Sequence, residues 1–173
     1  MTNLQSNDFE LFGQPEQFAQ DAARIDARWK ELQREAHPDR FAAQGAAAQR
    51  IALQWSVRIN EAYKRLKDPL KRAAYLCELR GAAVDAENNT AMPADFLVEQ
   101  MEWREALEEA ASIGEVERLE GELVRARREA LQRIETLLDD RKDPGAAAQQ
   151  VRALMFIERF GEDVHARAEQ LGQ

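Results

Sequence analysis

Few side chains in this chain of 173 residues are equipped for chemistry: two histidines, one cysteine and a large supply of carboxylates. His37 stands in the run His37-Pro38-Asp39, directly after Ala36, the last residue of an apolar helical stripe. A proline drives the residue before it out of helical dihedrals and stiffens the turn. The run therefore holds an imidazole and a carboxylate on a rigid corner, outside any apolar pattern. One reading is that Pro38 stops a helix while His37 and Asp39 cap or solvate it. A second makes the two an acid–base pair, but the sequence suggests no nucleophile, no oxyanion-binding loop and no third group to orient them. His165 has Glu162 and Glu169 at helical spacing, yet a metal site needs further ligands, so an exposed polar position is expected. Cys77, beside Leu76 and Leu79, reads as a small packing residue. A single thiol excludes an internal disulfide framework and a thiolate-rich metal or iron–sulfur site.

The elements that must carry these residues are helices. Val, Ile and Thr together number only 16, while Ala, Glu, Arg, Gln and Leu fill the chain, so an all-α fold is expected. The five prolines, at 15, 38, 69, 93 and 144, punctuate it, because proline cannot donate a backbone hydrogen bond and clashes with the preceding turn. Between them the pattern predicts a short helix at Asp8–Phe12, then a helix over about Glu16–Ala36 with the stripe Phe18, Ala22, Ile25, Trp29, Leu32 and Ala36. After a loop from His37 to Gly45, a helix over about Ala47–Leu66 carries Ala48, Ala52, Trp55, Ile59, Ala62 and Leu66. Both stripes have the spacing 4-3-4-3-4, which predicts an antiparallel hairpin buried along one face of each helix. A further helix over Leu70–Leu79 ends at Gly81.

Residues 81–92 are small and polar without a sustained period and read as a connection between domains. Three helices are expected beyond them, over about Ala94–Ala111, Glu115–Asp140 and Ala146–Leu171. Gly114 and the turn Asp143-Pro144-Gly145 would separate them, and a three-helix bundle would bury their stripes. The domain organisation is thus 1–80, a linker at 81–92 and, at 93–173, a three-helix bundle expected to serve oligomerisation or client binding. Trp29, Trp55 and Trp103 fall on core stripes, and Gly121 and Gly161 suggest close helix approach.

The net charge of −8 argues against a general nucleic-acid binder, which needs a basic surface. The charge is uneven: residues 1–80 hold 13 basic and 11 acidic side chains, residues 81–173 hold 11 and 21. Opposite signs suggest modules with different partners. No apolar run approaches the ~20 residues needed to span a bilayer. The first ten residues show neither basic residues nor an apolar signal core, so a cytoplasmic protein is expected.

His37-Pro38-Asp39 lies between two amphipathic helices. It is followed by Asn60-Glu61-Ala62-Tyr63 and by the run Lys67-Asp68-Pro69-Leu70-Lys71-Arg72-Ala73-Ala74-Tyr75. With the opening Asp8-Phe9-Glu10-Leu11-Phe12-Gly13, residues 8–75 resemble a J domain, the module that activates the ATPase of 70-kDa heat-shock (DnaK-type) chaperones. The resemblance implies that His37, Pro38 and Asp39 contact the chaperone near the junction of its nucleotide domain and linker. It also implies a basic surface on the preceding helix, where Arg24, Arg28, Lys30 and Arg34 lie off the apolar stripe, with Arg40 beside the tripeptide. Asp21, Glu31 and Glu35 are interleaved with these, so each also fits an ordinary solvated face.

The second module is acidic. From Asp95 to Glu122 there are ten carboxylates and two arginines, more than helix-dipole compensation needs. At 100° per residue, Phe96, Trp103, Leu107 and Ala110 fall within about 40° of one direction, whereas Leu97 and Met101 point about 100–140° away among charged residues. On the last helix Met155 and Phe156 likewise leave the face shared by Leu154, Ile157, Val164, Ala168 and Leu171. These extra apolar residues could pack on a neighbouring helix or form an exposed patch with an acidic rim, a usual form for a protein-binding site.

Together with the J-domain motifs, the run Phe96-Leu97-Val98-Glu99-Gln100-Met101-Glu102-Trp103-Arg104-Glu105 resembles the HscB type of J protein, which delivers the iron–sulfur scaffold IscU to the chaperone HscA. The resemblance places the scaffold-binding surface on Leu97, Met101, Glu102, Glu105 and Phe156. Met101 stands where a leucine is frequent, a change that conserves volume. It further implies an L-like layout of two domains, a co-chaperone and not an enzyme, and no cofactor or bound cluster. The cysteine-rich N-terminal extension of eukaryotic relatives has no counterpart in these residues, so no zinc is expected. A J-domain adaptor for a different client remains the alternative.

Overall fold

The computed structural model describes residues 2–172. Among them all the regular structure is helical, with no strand. It separates into two compact units, Met1–Tyr75 and Leu76–Gln173.

The first unit begins with α1 (Asp8–Phe12), capped by the Asn7 side chain and closed by Gly13 at φ 62°. That left-handed conformation suits glycine, which has no Cβ to clash. Next is α2 (Ala22–Ala36), then a 3-10 turn (Pro38–Gln44), α3 (Ala46–Lys67) and α4 (Pro69–Leu79). The expected start of α2 at Glu16 is too early. The Asp21 carboxylate accepts from the N–H groups of Ala23 and Arg24 and fixes the helix start there. Phe18 is buried nonetheless, as a loop residue under the Arg72 guanidinium, which lies 4.7 Å from its ring centroid. Arg72 Nε also donates to Phe18 O at 2.7 Å.

α2 and α3 form the expected antiparallel hairpin. Its rungs run in opposite senses: Tyr63 Oη donates to Asp26 at 2.7 Å, Trp29 Nε1 to Asn60 Oδ1 at 3.0 Å, and Ser56 Oγ to Ala36 O at 3.3 Å. Ile25, Leu32, Ala52, Ile59, Ala62 and Leu66 are buried between and beneath the helices with Phe9, Leu11 and Phe12 of α1. Trp29 and Trp55 are half-buried and not core residues in full; Trp55 faces a groove between the helices. Trp29 instead stacks on Tyr63, ring centroids 4.6 Å apart.

The second unit is built on α5 (Ala94–Glu109), α6 (Ile113–Glu135) and α7 (Pro144–Leu171). Gly114 does not separate α5 from α6 but lies in the first turn of α6. Ser112 is the cap, its hydroxyl accepting from Glu115 N–H while the Glu115 carboxylate accepts from Ala111 N–H. α6 runs into a π-turn (Thr136–Asp140), in which Arg141 N–H bonds back to Thr136 O at 2.9 Å. Arg80 takes up the Leu138 carbonyl at 2.6 Å. Cys77 is fully buried, and burial lifts its thiol to about 11.

Residues 81–92 are tied to this unit by the burial of Val84, by Gln100 Nε2, which donates to Met92 Sδ at 3.1 Å, and by one arginine. Arg152 of α7, only 5% exposed, donates from Nε to Val84 O at 2.8 Å and from Nη1 to Ala91 O at 3.0 Å. Gly121 and Gly161 do not mark close approach: a Cβ added at either would meet nothing within 4 Å. No helix among the described residues is long and apolar enough to cross a membrane.

Candidate functional site

The tripeptide corner is assembled from the end of α2 and the start of the 3-10 turn. His37 leaves helical geometry at φ −62°, ψ 127°, and Pro38 supplies the first position of the turn. His37 acts as the N-cap, its Nδ1 accepting from the Asp39 N–H at 3.2 Å. The Asp39 carboxylate lies 3.7 Å from the same nitrogen. Arg40 N–H donates to His37 O at 3.0 Å, and Arg40 Nη1 to Arg34 O at 3.3 Å. The corner is thus tied by four local contacts, yet the side chains of His37 and Asp39 remain 57% and 92% exposed. Fixed donors and acceptors that face water are chemically suited to meeting a protein partner.

The cations near it divide. Arg28 is paired with Glu31 at 3.0 Å and Arg24 with Asp21 at 3.6 Å. Arg34 is exposed and has no carboxylate in ion-pair range among the described residues. Lys67, at the far end of the hairpin, pairs with Asp26 at 2.8 Å, and this bond with that from Tyr63 holds the Asp26 carboxyl below its ordinary range. Beneath the corner, a groove of about 460 Å³ runs between α2, the 3-10 turn and α3, lined by Leu32, Ala36, Phe41, Ala52 and Trp55 among others. Apart from Phe41, these walls fall on stripes already assigned to the core, which is why the pattern alone does not reveal the groove.

On the second unit, α5 presents two faces. Phe96 and Trp103 are buried, at 8% and 3%, and Ala110 with them. Leu97 and Met101 are 47% and 70% exposed, and Glu102 and Glu105 flank them in solvent. Val98, at 57%, belongs to the same patch. It was not singled out from the sequence, although its position one residue past Leu97 on a helix whose core face is elsewhere was the available signal.

Phe156 is half-buried. It stacks on Phe160 at 5.5 Å, meets Phe96 edge-on at 5.8 Å, and carries the Arg104 guanidinium 5.2 Å above its ring. Its ring therefore meets α5 through Phe96 and Arg104. Burial raises the Glu99 carboxyl above its ordinary value, with Arg133 opposing and Glu129, Asp95 and Glu102 adding to the rise. An apolar patch with carboxylates at its rim is chemically suited to a protein with apolar and basic residues on its docking face.

His165 is exposed and 3.4 Å from Glu169, as its position on α7 predicts.

Comparisons with known proteins agree on one family. Residues 92–165 match the family model described as the HSCB C-terminal oligomerisation domain. A protein of Burkholderia multivorans named co-chaperone protein HscB homolog is 52% identical over 174 residues, covering 99% of each chain. The homolog of Burkholderia thailandensis is 51% identical with the same coverage. Among solved structures, chaperone HscB from Vibrio cholerae superimposes with a TM-score of 0.80 at 35% identity, covering 96% of this chain and 99% of that one. The human co-chaperone protein HscB does so with a TM-score of 0.83 at 26% identity, covering 95% and 83%.

Proposed function

The chain belongs to the HscB family of co-chaperones, and from that premise we propose that it activates a DnaK-type chaperone of the HscA kind and delivers to it an IscU-type iron–sulfur scaffold. Its fold is that of the family, an N-terminal J domain and a C-terminal helical domain. The functional division is taken as a J domain at 1–80, a connection at 81–92 and a client-binding bundle at 93–173. The protein acts in the cytoplasm and carries neither zinc nor a cluster of its own. A second capability, oligomerisation, is part of the same proposal and is supported by the description of the matching family model.

Chaperone activation is assigned to His37, Pro38 and Asp39, with Arg40, Arg34 and Arg28 giving electrostatic guidance. The observation that carries this reading is the pairing of fixity with exposure at His37 and Asp39. A partner that meets a preformed corner need not spend binding energy on ordering it. Client binding is assigned to Leu97, Met101 and Phe156, with Glu102 and Glu105 at the rim selecting a basic partner. One chain that holds both partners raises the effective concentration of client at the chaperone.

The test is a three-component titration. Purified scaffold should bind the chain, and the two together should raise the steady-state ATPase of the cognate chaperone above the effect of either alone. Absence of a complex by calorimetry at micromolar concentrations would leave an adaptor for a different client.

A further inference from the structure

The outer face of α6 carries a feature the proposed function does not use. Its buried stripe is Val116, Leu119, Leu123, Ala130 and Ile134. Opposite it lie Arg118, Gly121, Arg125, Arg128 and Gln132, spaced 3-4-3-4, all exposed and without a carboxylate in the stripe. None of the three arginines reaches ion-pair distance of an acid among the described residues, although Glu117, Glu122 and Glu129 lie to either side. Val124, 59% exposed, borders the stripe and opens on a groove of about 270 Å³ shared with Leu123, Ile157 and Gly161. In a half-chain holding 21 acidic and 11 basic residues, this is a local reversal of sign beside an apolar groove.

The complement is on α5. Asp95, Val98, Glu102 and Glu105 have the spacing 3-4-3, identical to that of Arg118, Gly121, Arg125 and Arg128. Laid side by side in parallel, the two helices would set Asp95 against Arg118, Glu102 against Arg125 and Glu105 against Arg128. Val98, 57% exposed, would meet Gly121, where no side chain stands and where an added Cβ finds nothing within 4 Å. Within one copy these stripes cannot pair, because both face solvent.

We propose that a second copy of this chain docks its α5 face on the outer face of α6, in this register. The proposal rests on the oligomerisation reading above and names its surface. Such a contact joins unlike patches, so it propagates head to tail unless the rotation closes a ring. It also covers Met101, Glu102 and Glu105, so self-association and scaffold binding compete, and the assembled form is a store that the client opens.

The experiment is sedimentation velocity on the full chain without scaffold, from about 1 to about 200 µM, at low salt and at about 0.5 M NaCl, where the Debye length is only a few ångströms. The expected result is a weight-average mass rising about twofold or more with concentration at low salt and returning to the monomer at high salt. R125E/R128E and E102R/E105R should each stay monomeric with unchanged helicity, and an equimolar mixture of the two should associate, since the charges are exchanged. A monomer under all conditions overturns the proposal and the oligomerisation reading together. Association that persists in R125E/R128E overturns the surface alone.

Discussion

Asp8 and Arg65, fifty-seven positions apart, meet through two hydrogen bonds of 2.7 and 2.8 Å with the carboxylate fully buried. Arg58 adds a third cationic contact at 2.8 Å, and Tyr75 accepts the Asp8 N–H at 3.0 Å. The bond to Asp8 raises the Arg65 guanidinium further above its ordinary value, so the arginine stays charged. This knot fastens α1 to α3 and α4. Asp8→Asn leaves two converging guanidinium groups without their counter-charge and should cost about 3 kcal/mol of stability by urea unfolding. A loss below about 1 kcal/mol would mean that water screens these arginines well enough to replace the carboxylate.

Arg152 plays the corresponding part in the second unit. Arg152→Met keeps much of the stem's packing but removes both bonds to the 81–92 segment. The expected cost is about 2 kcal/mol, and limited proteolysis should then cut within 81–92 well before the bundle. Equal cleavage rates in variant and parent would show that the segment is held by something else.

The Cys77 thiol, raised to about 11 by burial, stays protonated across the neutral range. A disulfide reagent at pH 8 should therefore leave it unmodified until the protein unfolds. The sign of the linkage follows: from about pH 9, where the unfolded thiol ionises, to about 11, the folded state binds more protons, so this group's contribution to stability falls as pH rises. Rapid modification of the native protein at pH 8 would contradict the burial.

Leu97→Ala/Met101→Ala removes apolar surface that is already in water, so unfolding free energy should change by less than about 0.5 kcal/mol. Scaffold affinity should fall about tenfold to a hundredfold if these residues anchor the contact. Phe156→Ala is a poorer probe. Its stacking on Phe160 and Phe96 makes a loss of about 2 kcal/mol in stability expected as well. Unchanged affinity in the double variant would place the client elsewhere.

Much of this was legible before any coordinates, for an identifiable reason. Prolines and 3-4 spacing are local signals, and they located α1, α3, α4 and the three helices of the bundle closely. The start of α2 was misread because Phe18 continues the stripe numerically while lying in a loop; the cap at Asp21, which decides it, was available but competes with that periodicity. Ser112 and Glu115 likewise outrank Gly114 at the start of α6. Asp8 with Arg65, and Arg152 with Val84, pair residues more than fifty positions apart, and no local pattern announces such pairs. Of the candidate sites, the exposure of Leu97 and Met101 followed from their angle to Phe96 and Trp103. The share of Phe156 that is buried depends on Phe160 and Arg104, which only the packed bundle brings to it.

The central claim is that the His37 corner acts on a chaperone. Its most direct test is the steady-state ATPase rate of the cognate DnaK-type chaperone with the full chain or with His37→Gln. The substitution falls on an exposed side chain, so helicity and unfolding should be nearly unchanged. Stimulation by the parent chain, lost at least about tenfold in His37→Gln while the variant still binds scaffold, is the result predicted. Equal stimulation by both chains would contradict the assignment of the corner.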